Sequence, residues 1–153
     1  MQTIVTERTI SVPAQRVWEY LSDLTHFGRH DPFHHDFRFV TPHKSGLGVE
    51  FDLRHTYLPI FPLPSDHVRC RVTRWEALRR VSILETNRSR LKSHTQDFEL
   101  SPVSAGVTQV RFTITYRGIP TILLPWRMWA TWLVQKRMAE KLRQIERECG
   151  LNG

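Results

Sequence analysis

Histidine is the first residue type in this sequence that could do chemistry. Four of the eight histidines fall within ten residues, and two aspartates accompany them. Imidazole and carboxylate groups are ligands of first-row metals, and histidines four residues apart would share one face of a helix. Gly28 and Pro32 interrupt such a helix, so we predict surface or capping histidines and no metal. The cluster consists of His26, His30, Asp31, His34, His35 and Asp36.

Polar residues at inward-facing strand positions are the second candidate group. The run 49–57 alternates apolar with charged residues, which predicts an antiparallel strand with one wet face. The same alternation places polar side chains among apolar ones on the inner face of three strands. A pocket that orients a ligand needs such groups on an apolar wall. Otherwise they must bond to one another or reach water, and the sequence leaves both readings open. These residues are His55, Tyr57, His94, Gln96 and Tyr116, with Phe98 and Phe112 beside them.

Catalysis has weaker support in the sequence. General acid or base work by His55 or His94 would require a pKa near the working pH, and we predict no carboxylate on the same face of the sheet. The sequence also lacks a glycine-rich dinucleotide loop, a P-loop, a nucleophile elbow and a Cys-x-x-Cys pair. We therefore assign no catalytic residue and no cofactor.

The last part of the chain changes from strand to helix. The helix is predicted to begin near residues 120–125, and its first half is apolar nearly all round. That composition predicts deep burial at its start and half-exposure at its end. Trp129 and Met138 are candidates to line a cavity, although core packing is the commoner role of an apolar helical stripe. The stripe is Val134, Met138, Leu142, Ile145 and Cys149.

The order of elements predicts an α+β fold. A strand over residues 3–12 precedes a helix that starts after Pro13, and about six strands lead to the long helix. A length of 153 residues fits a single domain over 1–153. The two cysteines fit a reducing compartment. No basic stretch precedes an apolar run near Met1, so we expect a cytoplasmic protein.

Residues 10–23, ISVPAQRVWEYLSD, resemble the strand-to-helix opening of the START-like, helix-grip superfamily. They are most similar to its polyketide cyclase/dehydrase and lipid-transport (SRPBCC) branch. Residues 26–32 resemble the short second helix of that branch, with Asp31-Pro32 in place of its usual His-Pro. The resemblance implies two short helices after strand 1 and a curved antiparallel sheet of six to seven strands around the C-terminal helix. It also implies an apolar cavity between them.

The resemblance and the residue patterns together favour binding or transport of a hydrophobic small molecule in that cavity. Members of the family bind lipids, sterols, polyketides, quinones or plant hormones. Some are cyclases, so a polyketide cyclase- or dehydratase-type enzyme is the alternative. The expected cavity-lining residues are His55, Tyr57, His94, Gln96, Phe98, Phe112, Tyr116, Trp129 and Met138.

Positive charge gives a third hypothesis, an interaction module for RNA, a ribosome or an anionic membrane. The formal net charge is +7, and residues 69–92 hold eight basic and two acidic groups. Such a basic block attracts polyanions. Arg69 and Arg71 alternate with apolar residues, as on a solvated sheet face, and exposed aromatics suited to RNA are scarce. Nucleic acid is therefore disfavoured, whereas the block and the proline-rich loop 58–64 leave a membrane surface open.

Overall fold

In the part of the chain that the structure describes, seven strands form, most of them where the sequence alternates apolar and polar residues. The computed structural model describes residues 1–29, 34–55, 66–87, 93–117 and 124–151. Its strands make one antiparallel sheet in the order β1-β7-β6-β5-β4-β3-β2. The elements in chain order are β1 (Gln2–Ile10), α1 (Ala14–Ser22), α2 (His26–Arg29), β2 (His34–Phe39), β3 (Glu50–His55), β4 (Asp66–Glu76), β5 (Arg80–Asn87), β6 (Ser93–Ser104), β7 (Val107–Arg117) and α3 (Leu124–Leu151).

This arrangement confirms the predicted helix-grip fold: two short helices follow β1, and a curved sheet surrounds the terminal helix α3. Pro13 precedes α1, where its missing N–H costs nothing. Its carbonyl oxygen accepts hydrogen bonds from the backbone N–H groups of Arg16 and Val17. Helix α1 then buries one apolar face against the sheet, and Trp18 meets Trp75 of β4 edge-on at 5.1 Å between ring centroids.

Helix α3 runs along β1 in the same direction. Near its start, Gln2 Nε2 donates a hydrogen bond to Thr131 Oγ1 at 2.9 Å. Farther along, Arg8 Nε donates to Glu146 Oε2 at 2.8 Å. At the far end, the Arg16 guanidinium bonds to the carbonyl oxygen of Cys149 at 3.2 Å. These contacts fix which side of α3 meets the sheet, and on that side Met138, Leu142, Ile145 and Cys149 are buried as predicted.

The predicted burial of the start of α3 is wrong. The exposed fractions of Met128, Trp129 and Trp132 are 69%, 46% and 55%. The reason is the phase of the helix: Trp132 lies two residues before Val134, which is roughly 200° around the helical axis at about 3.6 residues per turn. With this stripe packed on the sheet, the side chains of Trp129 and Trp132 point outward. Within the described ranges, no helix is long and apolar enough to cross a membrane.

Candidate functional site

One row of inner-face positions brings polar side chains together across the sheet. Tyr116 on β7 pairs with His94 on β6. His94 pairs in turn with Glu85 on β5, and Glu85 with Cys70 on β4. Directly opposed residues of antiparallel strands carry their side chains on the same face, about 4.5–5.5 Å apart at Cβ. Strand register thus assembles what we call the polar cluster: Glu85, His94, Gln96 and Tyr116.

Glu85 is the buried centre of the polar cluster. Its side chain is 2% exposed, and its Oε2 lies 3.1 Å from His94 Nε2. The same oxygen accepts a hydrogen bond from Gln96 Nε2 at 3.0 Å. Taking a carboxylate out of water is costly unless it is paired and hydrogen-bonded. The imidazole and the amide therefore hold this carboxylate on the inner face, and the carboxylate in turn orients the ring of His94.

The expectation that no carboxylate shares the face of His94 is wrong, since Glu85 lies there. The signal was present in β5. Val81 and Ile83 are both buried on the inner face, and the two-residue period of a strand carries that face on to Glu85. The period of the strand alone does not favour a buried carboxylate at this position, because Glu is almost never fully buried without a partner. The partner is His94 on the neighbouring strand β6, and the register between β5 and β6 places it opposite Glu85.

The charge of Glu85 affects the pKa of two neighbouring groups, the Tyr116 phenol and the Cys70 thiol. Burial first, and then Glu85, raise the pKa of Tyr116 to about 12, while Arg137 of α3 acts in the opposite direction. Burial and Glu85 likewise raise the pKa of the Cys70 thiol well above its usual value. The phenol and the thiol therefore stay protonated at neutral pH. The ring of Tyr116 lies 5.4 Å from that of His94, centroid to centroid.

Apolar residues predicted to line the cavity adjoin the polar cluster. Phe98, two residues after Gln96, is fully buried. Its ring stacks on Phe112 at 4.1 Å and meets Phe27 of α2 edge-on at 6.1 Å. Met138 of α3 is 1% exposed, with its sulfur 4.0 Å from Thr6 Oγ1. The inner face therefore carries a polar patch beside an aromatic wall. Contact of these residues with a ligand remains a prediction.

Three other predicted cavity residues lie apart from the cluster or beyond what the structure describes. Trp129 is 46% exposed on α3. The backbone of His55 pairs with Asp66 and His34 at the end of β3, but its side chain lies outside the described residues. Tyr57 lies outside them altogether.

The histidine cluster is spread over structural roles. His26 stacks on Tyr20 at 4.1 Å, and its Nε2 lies 3.5 Å from the carboxylate of Asp23. His34 is buried, with Nδ1 3.0 Å from the carbonyl oxygen of Phe27. No three His, Cys, Asp or Glu side chains of the described residues are placed to hold a metal ion. His30 and Asp31 lie outside those residues.

The outer face of the sheet carries ion pairs. Arg69 donates two hydrogen bonds to Asp52, at 2.8 and 3.0 Å, and this contact holds the pKa of Asp52 below its usual value. Arg71 lies 3.8 Å from Glu50. A pocket of about 700 Å³ opens among these side chains, away from the polar cluster. Part of the basic block is thus neutralised by carboxylates of β3; Arg88, Arg90 and Lys92 lie outside the described residues.

A known protein family matches this chain, and it is the family that the sequence resembles. The family model of polyketide cyclase/dehydrase and lipid-transport proteins matches residues 1–150. The chain belongs to this family. The resemblance found in residues 10–32 is thereby confirmed over the whole chain. No curated protein matches the sequence.

Solved structures show how widely the polyketide cyclase/dehydrase and lipid-transport fold is shared. A conserved protein from Geobacillus kaustophilus superposes with a TM-score of 0.76 at 11% identity, covering 97% of this chain and 95% of that one. The Zhui aromatase/cyclase from Streptomyces sp. R1128 gives 0.72 at 15% identity, with 97% and 93% covered. Ara h 8.0201 gives 0.67 at 13% identity, with 99% of both chains covered. At these identities the similarity shows the fold alone.

Proposed function

We propose that the chain binds a hydrophobic small molecule between the inner face of the sheet and α3, with the polar end of that molecule at the polar cluster. One observation carries the proposal: a carboxylate 2% exposed, held by an imidazole at 3.1 Å and an amide at 3.0 Å, beside an aromatic wall. Ligand sites are mostly apolar, with a few placed polar groups. Family membership supports the same class of ligand.

The cost of the polar cluster supports a role beyond stability. Burying a carboxylate and an amide costs free energy that apolar side chains in the same positions would not cost. The cluster instead keeps Glu85, His94 and Gln96 on a face whose neighbouring positions are Ile83, Phe98 and Ile114. A ligand that uses the cluster gives a reason for keeping these polar groups.

The charge of the cluster favours a ligand whose polar end donates a hydrogen bond. The buried carboxylate of Glu85 lies at the centre of the cluster. A carboxylate headgroup placed here would be desolvated next to a like charge, which is unfavourable. An alcohol or phenol brings no such penalty and can donate to the cluster. We therefore expect sterol-, quinol- or polyketide-like hydroxyl compounds to bind more tightly than fatty acids.

A second function, proton transfer in a cyclase- or dehydratase-type reaction, is supported by the same His94–Glu85 contact. A general base needs a group that orients it, and a carboxylate 3.1 Å from the ring nitrogen has that geometry. The fold itself accommodates binders and enzymes alike. The two functions therefore differ in whether a bound molecule is released unchanged.

Thermal unfolding with a compound panel tests both functions. The panel contains a sterol, an alkylphenol, a hydroxylated aromatic polyketide, a quinone and a fatty acid. We expect a hydroxyl compound at about 100 times its Kd to raise the Tm by roughly 5–10 °C. A panel without any shift would contradict binding. Mass spectrometry gives the second readout with an added polyketide that carries a β-hydroxy ketone, from which a base can remove the α-proton and the hydroxyl leaves as water: loss of one water with the wild type, but not with His94→Ala, would establish an enzyme.

A further inference from the structure

The first turns of α3 present apolar side chains to solvent. Met128, Trp129 and Trp132 are 69%, 46% and 55% exposed, whereas Met138 on the packed side is 1% exposed. Single exposed apolar residues are ordinary, but a contiguous patch marks an interaction surface. We call these three exposed residues the α3 apolar patch.

A positively charged side chain, that of Lys136, lies at the edge of the α3 apolar patch. Met128, Trp132 and Lys136 follow one another at intervals of four residues, so they share one face of the helix. Lys136 Nζ lies 5.4 Å from the centroid of the Trp132 ring, within the range of a cation–π contact. The apolar surface therefore continues into a positive one along the same helical face.

The charge around the patch has one sign. Lys136 is exposed on this part of the helix, and residues 124–139 contain no Asp or Glu. The first acidic residue that follows is Glu140, and its carboxylate is engaged by Arg143 at 3.1 Å and by Arg147 at 3.6 Å. This end of α3 is thus complementary to a negatively charged surface that also accepts apolar side chains.

An anionic lipid bilayer has both properties. Tryptophan is enriched at the membrane–water interface, where its ring is partly apolar and its N–H remains solvated. Apolar helix faces bordered by basic residues lie in the interfacial plane of anionic membranes. We propose that the start of α3 docks the protein on an anionic lipid surface, with Trp129 and Trp132 at headgroup depth and Lys136 beside the lipid charges.

The docking surface lies at the same end of the sheet as the polar cluster. Thr131 of α3 accepts a hydrogen bond from Gln2 at 2.9 Å, and Gln2 is paired in register with Tyr116. Docking would therefore bring the edge strand next to the cluster toward the membrane. The proposal stands on the exposure and charge of α3 and does not depend on what the inner face binds.

Vesicle flotation tests the docking. The full chain is mixed with vesicles of phosphatidylcholine alone or of phosphatidylcholine with phosphatidylglycerol, at low and at high salt. We expect binding to the anionic vesicles, weakened by salt because screening shortens electrostatic range. Trp132→Ala and Lys136→Gln should each weaken binding by about tenfold. Their side chains are exposed, so the Tm of both variants should stay close to that of the wild type.

Two matched controls distinguish binding at the α3 apolar patch from non-specific binding to vesicles. Val103→Ala removes an apolar side chain that is 62% exposed at the end of β6. Lys44→Gln removes another lysine that lies over an aromatic ring, Phe39, at 6.0 Å. Both should bind like the wild type. Absence of binding, or equal loss in the controls, would overturn the proposal. So would a dimer in size-exclusion chromatography that Trp132→Ala converts to monomer, because a second copy would then cover the patch.

Discussion

Replacing Glu85 with glutamine should weaken the binding of a phenol ligand by about 10- to 100-fold, since a hydrogen bond to a charged group contributes roughly 1.5–3 kcal/mol and each 1.4 kcal/mol is tenfold. Glutamine keeps the shape of the side chain and removes the charge that His94 and Gln96 surround. Calorimetric titration with octylphenol measures the change. Decanoate should respond in the opposite direction, because Glu85→Gln removes the like charge that opposes its carboxylate.

The matched control for this prediction is Asp52→Asn. It makes the same chemical change on a neighbouring part of the sheet, but Asp52 lies on the outer face and is bonded to Arg69. We expect octylphenol to bind this variant as it binds the wild type. Unaltered affinity in Glu85→Gln, or an equal loss in Asp52→Asn, would show that the polar cluster does not meet the ligand.

Replacing Phe98 with alanine should lower the free energy of unfolding by about 3–5 kcal/mol. The ring is fully buried, stacked on Phe112 at 4.1 Å and contacted by Phe27. Its loss removes apolar burial and leaves a void that close-packed neighbours fill only in part. Urea unfolding measures the effect. Since a loss of this size is a large part of typical stability, Phe98→Leu provides a milder variant, with a smaller loss in the same direction.

Val103→Ala is the control, because Val103 is 62% exposed and such surface changes stay within about 0.5 kcal/mol. The size of the Phe98 effect also bears on its predicted role. A ring that borders open space gives up fewer contacts when it is truncated. A loss below about 1 kcal/mol would therefore contradict the close packing of Phe98 against Phe112 and Phe27.

The sequence predicted the elements well because alternation and helical spacing are local properties. The inner-face positions of Phe98, Phe112 and Met138 followed from periods of two and of three to four residues, and the structure buries all three. The strand-to-helix opening with Pro13 identified the fold through a resemblance, which the family model confirms.

The polar cluster could be predicted only in part. The inward positions of His94 and Glu85 each follow from the two-residue period of their own strands. That the two meet depends on β5 pairing with β6 so that Glu85 lies opposite His94. Register of this kind is a tertiary property, because a shift by one residue would turn the carboxylate to the outer face.

The exposed start of α3 shows a different limit. Composition alone favoured burial of Trp129 and Trp132, because tryptophan is a large apolar residue. The direction of a helical side chain depends instead on its angle from the packed stripe, which Val134 and Met138 define. Applying that angle to the whole helix would have placed both rings toward solvent.

A ligand between α3 and the sheet should be visible at one methyl group. The chain has three methionines: Met1 and Met128 are 92% and 69% exposed, and Met138, on the side of α3 that packs on the sheet, is 1% exposed. In methyl-labelled methionine NMR, titration with the compound that raises the Tm should shift the Met138 resonance saturably and leave that of Met1 in place. If the Tm shift caused by the same compound saturates while the Met138 resonance does not move, the ligand is not held between α3 and the sheet.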